Sequence, residues 1–236
     1  MKVFNWLNSR LTLLADPEGM HRAILRRAIV QALRQWDAVH FGKALDSGCG
    51  SRDYGGDISR VAEKSIGLDI VANPKADIVV GPVEGVPLPD GSIDLVTTFQ
   101  VLEHVEDPAS YLQELARVCK NGGVLLLSVP SAWPFHPTPS DYRRWMLPGL
   151  VHDLRQAGFE VKEHQFVLNP LSTSLQYFLS VCRGRGNSVT PLRRFWITLL
   201  AFLVNPLILL SEAFLSGKWP DDGGNILVQA ERIRGQ

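Results

Sequence analysis

From Lys43 to Val167 the sequence alternates between short apolar runs and segments with helical spacing. This alternation narrows the possible folds more than any other feature. Apolar runs such as Val124–Val129 suit strands covered on both faces, and the order strand, loop, helix, strand predicts a parallel sheet between helical layers. Strands are expected at Lys43–Ser47, Ser65–Ile70, Ala76–Val80, Ile93–Thr98, Val124–Val129, Phe159–Val167 and Asn225–Ile233. Helical spacing marks Pro17–Phe41, Pro108–Cys119 and Met146–Ala157, with Asp16 as a cap before Pro17. Asn121-Gly122-Gly123 is expected to end the second of these helices.

The last strand arrives late. Between Leu168 and Gly224 lie two helical candidates, Leu171–Cys182 and Leu192–Leu215, joined by Arg183-Gly184-Arg185-Gly186-Asn187. The expected division is an N-terminal helical segment (1–42), a sheet domain (43–168 with 225–236) and an apolar helical insertion (169–224).

Composition excludes several classes. With 236 residues and 45% hydrophobic content the chain can bury a core without disulfides or structural metals. Lys+Arg 24 balance Asp+Glu 24, which argues against a nucleic-acid binder. Cys49, Cys119 and Cys182 are far apart and form no metal-ligand spacing. Polar residues Asn5, Asn8, Ser9 and Arg10 interrupt the first segment, so it reads as a poor signal peptide and a cytoplasmic location is expected.

The first chemical signal is Ala44-Leu45-Asp46-Ser47-Gly48-Cys49-Gly50-Ser51. A strand running into Gly-x-Gly turns tightly and lets a ligand approach the backbone. Asp69 closes the next strand and can accept hydrogen bonds from two ribose hydroxyls. A dinucleotide fingerprint would need a third glycine at Asp53, so the loop suits a nucleoside without phosphates, and Asp46 favours a cationic ligand.

Two further blocks follow: Leu88-Pro89-Asp90-Gly91-Ser92-Ile93-Asp94 with Leu102-Glu103-His104-Val105, and Gly122-Gly123-Val124-Leu125-Leu126-Leu127. With these the chain resembles the class I S-adenosylmethionine-dependent methyltransferases, over about Lys43–Gly158 and the last strand. The resemblance implies a Rossmann-like α/β fold, a seven-stranded, mostly parallel sheet whose antiparallel last strand lies between the fifth and sixth. It implies that Asp46, Gly48 and Gly50, with Cys49 between the glycines, hold the methionine part of S-adenosylmethionine. It further implies Asp69 at the ribose, Val83 and Glu84 beside the adenine, and Gln100 near the sulfonium. Two positions depart from the family pattern: Arg52 replaces a loop glycine, and Pro82 replaces an acid before the adenine pair.

Methyl transfer from a sulfonium needs alignment and exclusion of water, and a base only for a protonated acceptor. His136 and His104 are the base candidates, with Tyr142 beside them in the acceptor loop Pro134–Trp145. His104 can equally brace the next helix. Glu103, Glu106 and Asp107 suit a helix N-terminus better than a metal, and no metal is expected. No Asn/Asp-Pro-Pro-Tyr sequence follows the fourth strand, so a small-molecule, sugar or lipid-linked acceptor, methylated on oxygen, is expected. A silent cofactor-binding scaffold and an NAD-dependent oxidoreductase are the alternatives.

Phe195–Leu215 carries one charge, Glu212, and basic residues precede it. Three environments satisfy such a segment: a cap or homodimer interface, an anionic membrane surface, or a span. Asn205-Pro206 at its middle is expected to break or kink a helix, and a shallow hairpin or two interfacial helices fit better than one span.

Overall fold

The computed structural model describes residues 12–81, 84–135, 140–184 and 190–233. Its centre is a seven-stranded sheet in the order β3-β2-β1-β4-β5-β7-β6. The strands are β1 (Phe41–Ser47), β2 (Ala62–Asp69), β3 (Ile78–Val79), β4 (Ile93–Phe99), β5 (Cys119–Pro130), β6 (Phe159–Val167) and β7 (Asn225–Arg232). The helices are α1 (Gly19–Arg34), α2 (Gly55–Val61), α3 (Pro108–Val118), α4 (Leu147–Gln156), α5 (Pro170–Arg183) and α6 (Pro191–Leu215).

β1 pairs in parallel with β2 on one side and β4 on the other. The register sets Asp46 beside Gly67 and Thr97, so three strands deliver their carboxyl ends to one edge. β7 runs against β6. Gly224 N donates to Leu168 O past the end of β6, whereas Ile233 N donates to Gly158 O before its start. Leu45, Leu95, Val96, Leu125 and Leu127 are fully buried, which explains the continuous apolar runs of the inner strands.

Two expectations are corrected. Asn121-Gly122-Gly123 does not end a helix before a later strand, because β5 already starts at Cys119. Ile93 pairs with Cys119 but Leu95 with Val124, so the glycines lie in a bulge inside β5. Gly122 has φ 77°, and a Cβ on Gly123 would stand 2.8 Å from Cys119 Sγ, so neither position tolerates an ordinary side chain. Nor does Asn205-Pro206 divide the apolar segment: α6 is one helix of 25 residues with Pro206 inside it. Proline removes one backbone donor, and packing of the flanking turns outweighs that loss.

The chain falls into two compact units. One contains 29–131, 137–165 and 226–236 and holds most of the sheet. The other contains 1–28, 132–136 and 166–225. In the second, Met20, Leu179, Ala201, Val204 and Ile208 form an apolar cluster with Leu13, Leu14 and Ile24 packed on it. Asn169 caps α5 by accepting from the amides of Leu171 and Ser172. Its side-chain amide donates to Glu212 Oε1 at 2.6 Å and so ties the start of α5 to the last turns of α6. Within this unit His21 stacks on Trp133 at 4.0 Å and shares a 3.0 Å hydrogen bond with Asn225. Burial pushes its imidazole down to about 4, so the ring is neutral at pH 7.

Candidate cofactor site

The glycine loop leaves the carboxyl end of β1 and is held by β2. Gly48 N and Cys49 N both donate to Leu68 O, at 2.8 and 3.0 Å. Gly48 has φ 74°, and a Cβ there would lie 2.3 Å from Val101 Cγ2, so the turn closes only with glycine. Gly50 has φ 47°, and its Cβ position is open for 4 Å, which leaves the backbone accessible to a ligand. Cys49 is buried with Sγ against the Gly67 backbone, and burial pushes its thiol up to about 11. Its side chain therefore packs rather than reacts.

Asp69, at the end of β2, receives Gly50 N on Oδ2 at 2.7 Å and Val71 N on Oδ1 at 3.1 Å. Each oxygen retains a lone pair, which is what a ribose diol requires. Asp46 is buried below the loop and accepts from Thr97 Oγ1 at 3.1 Å. Desolvation pushes its carboxyl up to about 6, so a cation beside it would recover the energy lost by ionising in a dry site.

Sequence inspection missed the layer beneath. Tyr111 OH donates to Ser47 Oγ at 2.9 Å and lies 2.9 Å from Thr98 Oγ1, so α3, β1 and β4 meet at one hydroxyl chain. Tyr111 sits in the apolar stripe of α3, where its spacing reads as core. Arg52 takes the left-handed conformation (φ 57°) that the family reserves for glycine. Its guanidinium donates to Ser65 O at 3.1 Å and pairs with Asp77 at 3.0 Å, bracing β2 behind the loop. Gln100 is also left-handed (φ 55°), held by its amide donating to Ser128 O at 2.9 Å and its side chain to Ser128 Oγ at 3.2 Å. Such strain costs about 1 kcal/mol or more and concentrates at functional sites.

The remaining candidates are scattered or undescribed. Glu84 is exposed and turns back to accept from Gly81 N at 2.8 Å. Val83 and His136 lie outside the described residues. His104 donates from Nδ1 to Ser140 O at 2.7 Å. A carbonyl can only accept, so Nδ1 carries a proton. Tyr142 N donates to Glu103 O, and Arg143 to Val105 O. Three hydrogen bonds thus fasten the 140–143 segment to the turn after β4. The Tyr142 ring is about half exposed, with the Arg143 guanidinium 5.9 Å from its centroid. Glu103 is buried, with Oε2 lacking a hydrogen-bond partner and Oε1 3.8 Å from His104 Nε2. Burial pushes its carboxyl up to about 8, so it is largely protonated at neutral pH. Asp107 caps α3, accepting from Ser110 N. No group of three metal-ligating side chains occurs among the described residues.

An open glycine loop, a buried acid beneath it and a second acid at the neighbouring strand end stand together at the carboxyl edge of a Rossmann-like sheet, where such sheets bind ligands. Residues 45–127 match the family model of a methyltransferase domain. A protein of Mycolicibacterium smegmatis described as a probable S-adenosylmethionine-dependent methyltransferase is 40% identical over 135 residues, covering 50% of this chain and 52% of that protein. A ubiquinone biosynthesis O-methyltransferase of Sodalis glossinidius is 35% identical over 133 residues, covering 48% and 53%. The chain spans about half the length of these curated relatives. Among solved structures, the [4+2]-cyclase SpnF superposes with a TM-score of 0.58 at 18% identity, over 88% of this chain and 81% of that one. Residues 45–127 thus match a methyltransferase domain, and the chain is similar over about half its length to proteins described as S-adenosylmethionine-dependent methyltransferases.

Proposed function

We propose that this chain transfers a methyl group from S-adenosylmethionine to an oxygen atom of a small-molecule or lipid-linked acceptor. The observation that carries the reading is Asp46: a desolvated carboxyl, raised to about 6, under a loop whose Gly50 backbone is open. When bound, S-adenosylmethionine supplies an electrophilic methyl group on a sulfonium. Asp46 and the Gly48–Gly50 backbone would hold its methionine part, and Asp69 its ribose. Tyr142, on the segment fastened to the turn after β4, would face the acceptor. Oxygen as the acceptor atom is supported by relatives named as O-methyltransferases.

Calorimetry with S-adenosylhomocysteine and with NAD separates this reading from a nicotinamide-dependent one. Binding of S-adenosylhomocysteine alone is expected, and Asp69→Ala should weaken it at least tenfold, the loss of one to two charge-assisted hydrogen bonds. Binding of NAD with no S-adenosylhomocysteine affinity would overturn the proposal. Methyl-labelled cofactor offered with catechol and with primary amines then tests the acceptor atom, with label expected in the catechol.

A further inference from the structure

Around its apolar cluster the helical unit also buries polar side chains and exposes large apolar ones. α5 buries Ser172, Thr173 and Gln176 together with Leu179, and exposes Leu171, Tyr177, Phe178 and Val181. In a water-facing helix the polar stripe points outward. α6 behaves similarly, burying Asn205 and Ser211 among its inner residues. Its outer side presents Leu199, Phe202, Leu203, Leu207, Leu210 and Phe214, all 38–72% exposed. The amide nitrogens and hydroxyls of the buried polar groups are bonded within the unit, while Gln176 Oε1 and Asn205 Oδ1 have no partner. Asn205 Nδ2 donates to Leu14 O and Asp16 O at 2.7 and 3.0 Å, Gln176 Nε2 to Pro17 O at 2.6 Å, and Ser211 Oγ to Asn169 Oδ1 at 3.0 Å. Polar contacts inside and apolar side chains outside suit a medium less polar than water.

Charge selects the medium. The end of α5, the connection and the first turn of α6 carry Arg183, Arg185, Arg193 and Arg194, of which Arg183 pairs with Glu18. At the other end Lys218 is offset by Asp221 and Asp222. We infer that the outer faces of α5 and α6 dock flat on an anionic lipid bilayer, with the arginine-bearing end at headgroup level.

Two orientations compete, and the structure separates them. α6 has 25 residues with a mean hydropathy of 2.0, enough by length and composition to cross a bilayer. But Asn169 bonded to Glu212 places the start of α5 beside the end of α6, so the pair is a hairpin with Arg183, Arg193 and Arg194 together at its other end. Upright insertion would have to carry those arginines through the hydrocarbon to the far headgroups. Lying flat leaves them among phosphates while leucine and phenylalanine side chains enter the acyl boundary. The inner side of α6 is held on its own unit by Asn205, so only the outer side is available to lipid.

This inference does not depend on the methyl-transfer reading, and its test uses none of that site's residues. The full chain is sedimented with vesicles of phosphatidylcholine alone and of phosphatidylcholine with phosphatidylglycerol. Preferential binding to the anionic vesicles is expected. Arg193→Gln with Arg194→Gln should lower that binding by roughly fivefold per charge. Leu203→Glu with Leu210→Glu should abolish it while the far-ultraviolet dichroism stays unchanged. Equal binding to both vesicle types, or equal binding of the charge variant, would overturn the anionic assignment. No vesicle binding, together with a dimer that Leu203→Glu with Leu210→Glu dissociates in the ultracentrifuge, would assign the face to a second copy of the chain instead.

Discussion

Asp46 and Glu103 both carry buried carboxyls whose proton affinity is raised by desolvation, to about 6 and about 8. For Asp46 the folded value lies above the unfolded one, so folding takes up a proton between about pH 4 and pH 6. The stability tied to this group is present below the unfolded value and is lost as pH rises through about 6. Asp46→Asn is therefore expected to be more stable than the parent at pH 7, on the order of 2–3 kcal/mol, and equal to it near pH 4. The same substitution should abolish S-adenosylhomocysteine binding, and parent affinity should fall below pH 6; calorimetry at pH 5.5 and 7.5 checks both. Glu103→Gln separates burial from charge. Relative to that variant the parent should lose stability steadily from about pH 4.5 to about pH 8 and then level off, measured by urea unfolding. A difference that does not vary with pH would mean that Glu103 ionises freely.

At the scale of elements, the glycine loop and its neighbouring acid were legible in the sequence, because φ requirements and strand ends leave residue-type signatures. The bulge in β5 was not. Its glycines look like a helix stop until the pairing of Ile93 with Cys119 and Leu95 with Val124 is known. Pro206 misled in the same way, since a local rule predicted a break that packing overrides. Asn205, its neighbour, fastens α6 by two hydrogen bonds to the carbonyls of Leu14 and Asp16. Asn205→Leu leaves these acceptors without their donor and should cost about 1–3 kcal/mol, read as a lower urea midpoint. An unchanged midpoint would show that water takes the place of the amide. The motif Leu88-Pro89-Asp90 gains a physical reason as well. Arg117 donates to Val86 O at 2.7 Å, Leu88 O at 3.0 Å and Asp90 Oδ1 at 2.5 Å, so one guanidinium fixes the whole connection into β4.

Across the whole molecule the zero net charge hides segregation. No Lys or Arg occurs from Asp77 to Glu114, whereas Arg183 to Lys218 is basic apart from Glu212. The sequence alone determined the alternation that makes a parallel sheet, the Gly-x-Gly loop with Asp46 and Asp69 around it, and the apolar character of α6. These are properties of neighbours along the chain, carried by periodicity, turn chemistry and spacing. Only the tertiary structure decided that Tyr111, Ser47 and Thr98 form one hydroxyl chain, that Arg52 braces β2, and that the Glu103 carboxyl is buried. It alone showed that α5 buries Ser172, Thr173 and Gln176 and that α6 buries Asn205 and Ser211. Burial and long-range hydrogen bonds set those features, and both depend on which distant segments the fold brings into contact.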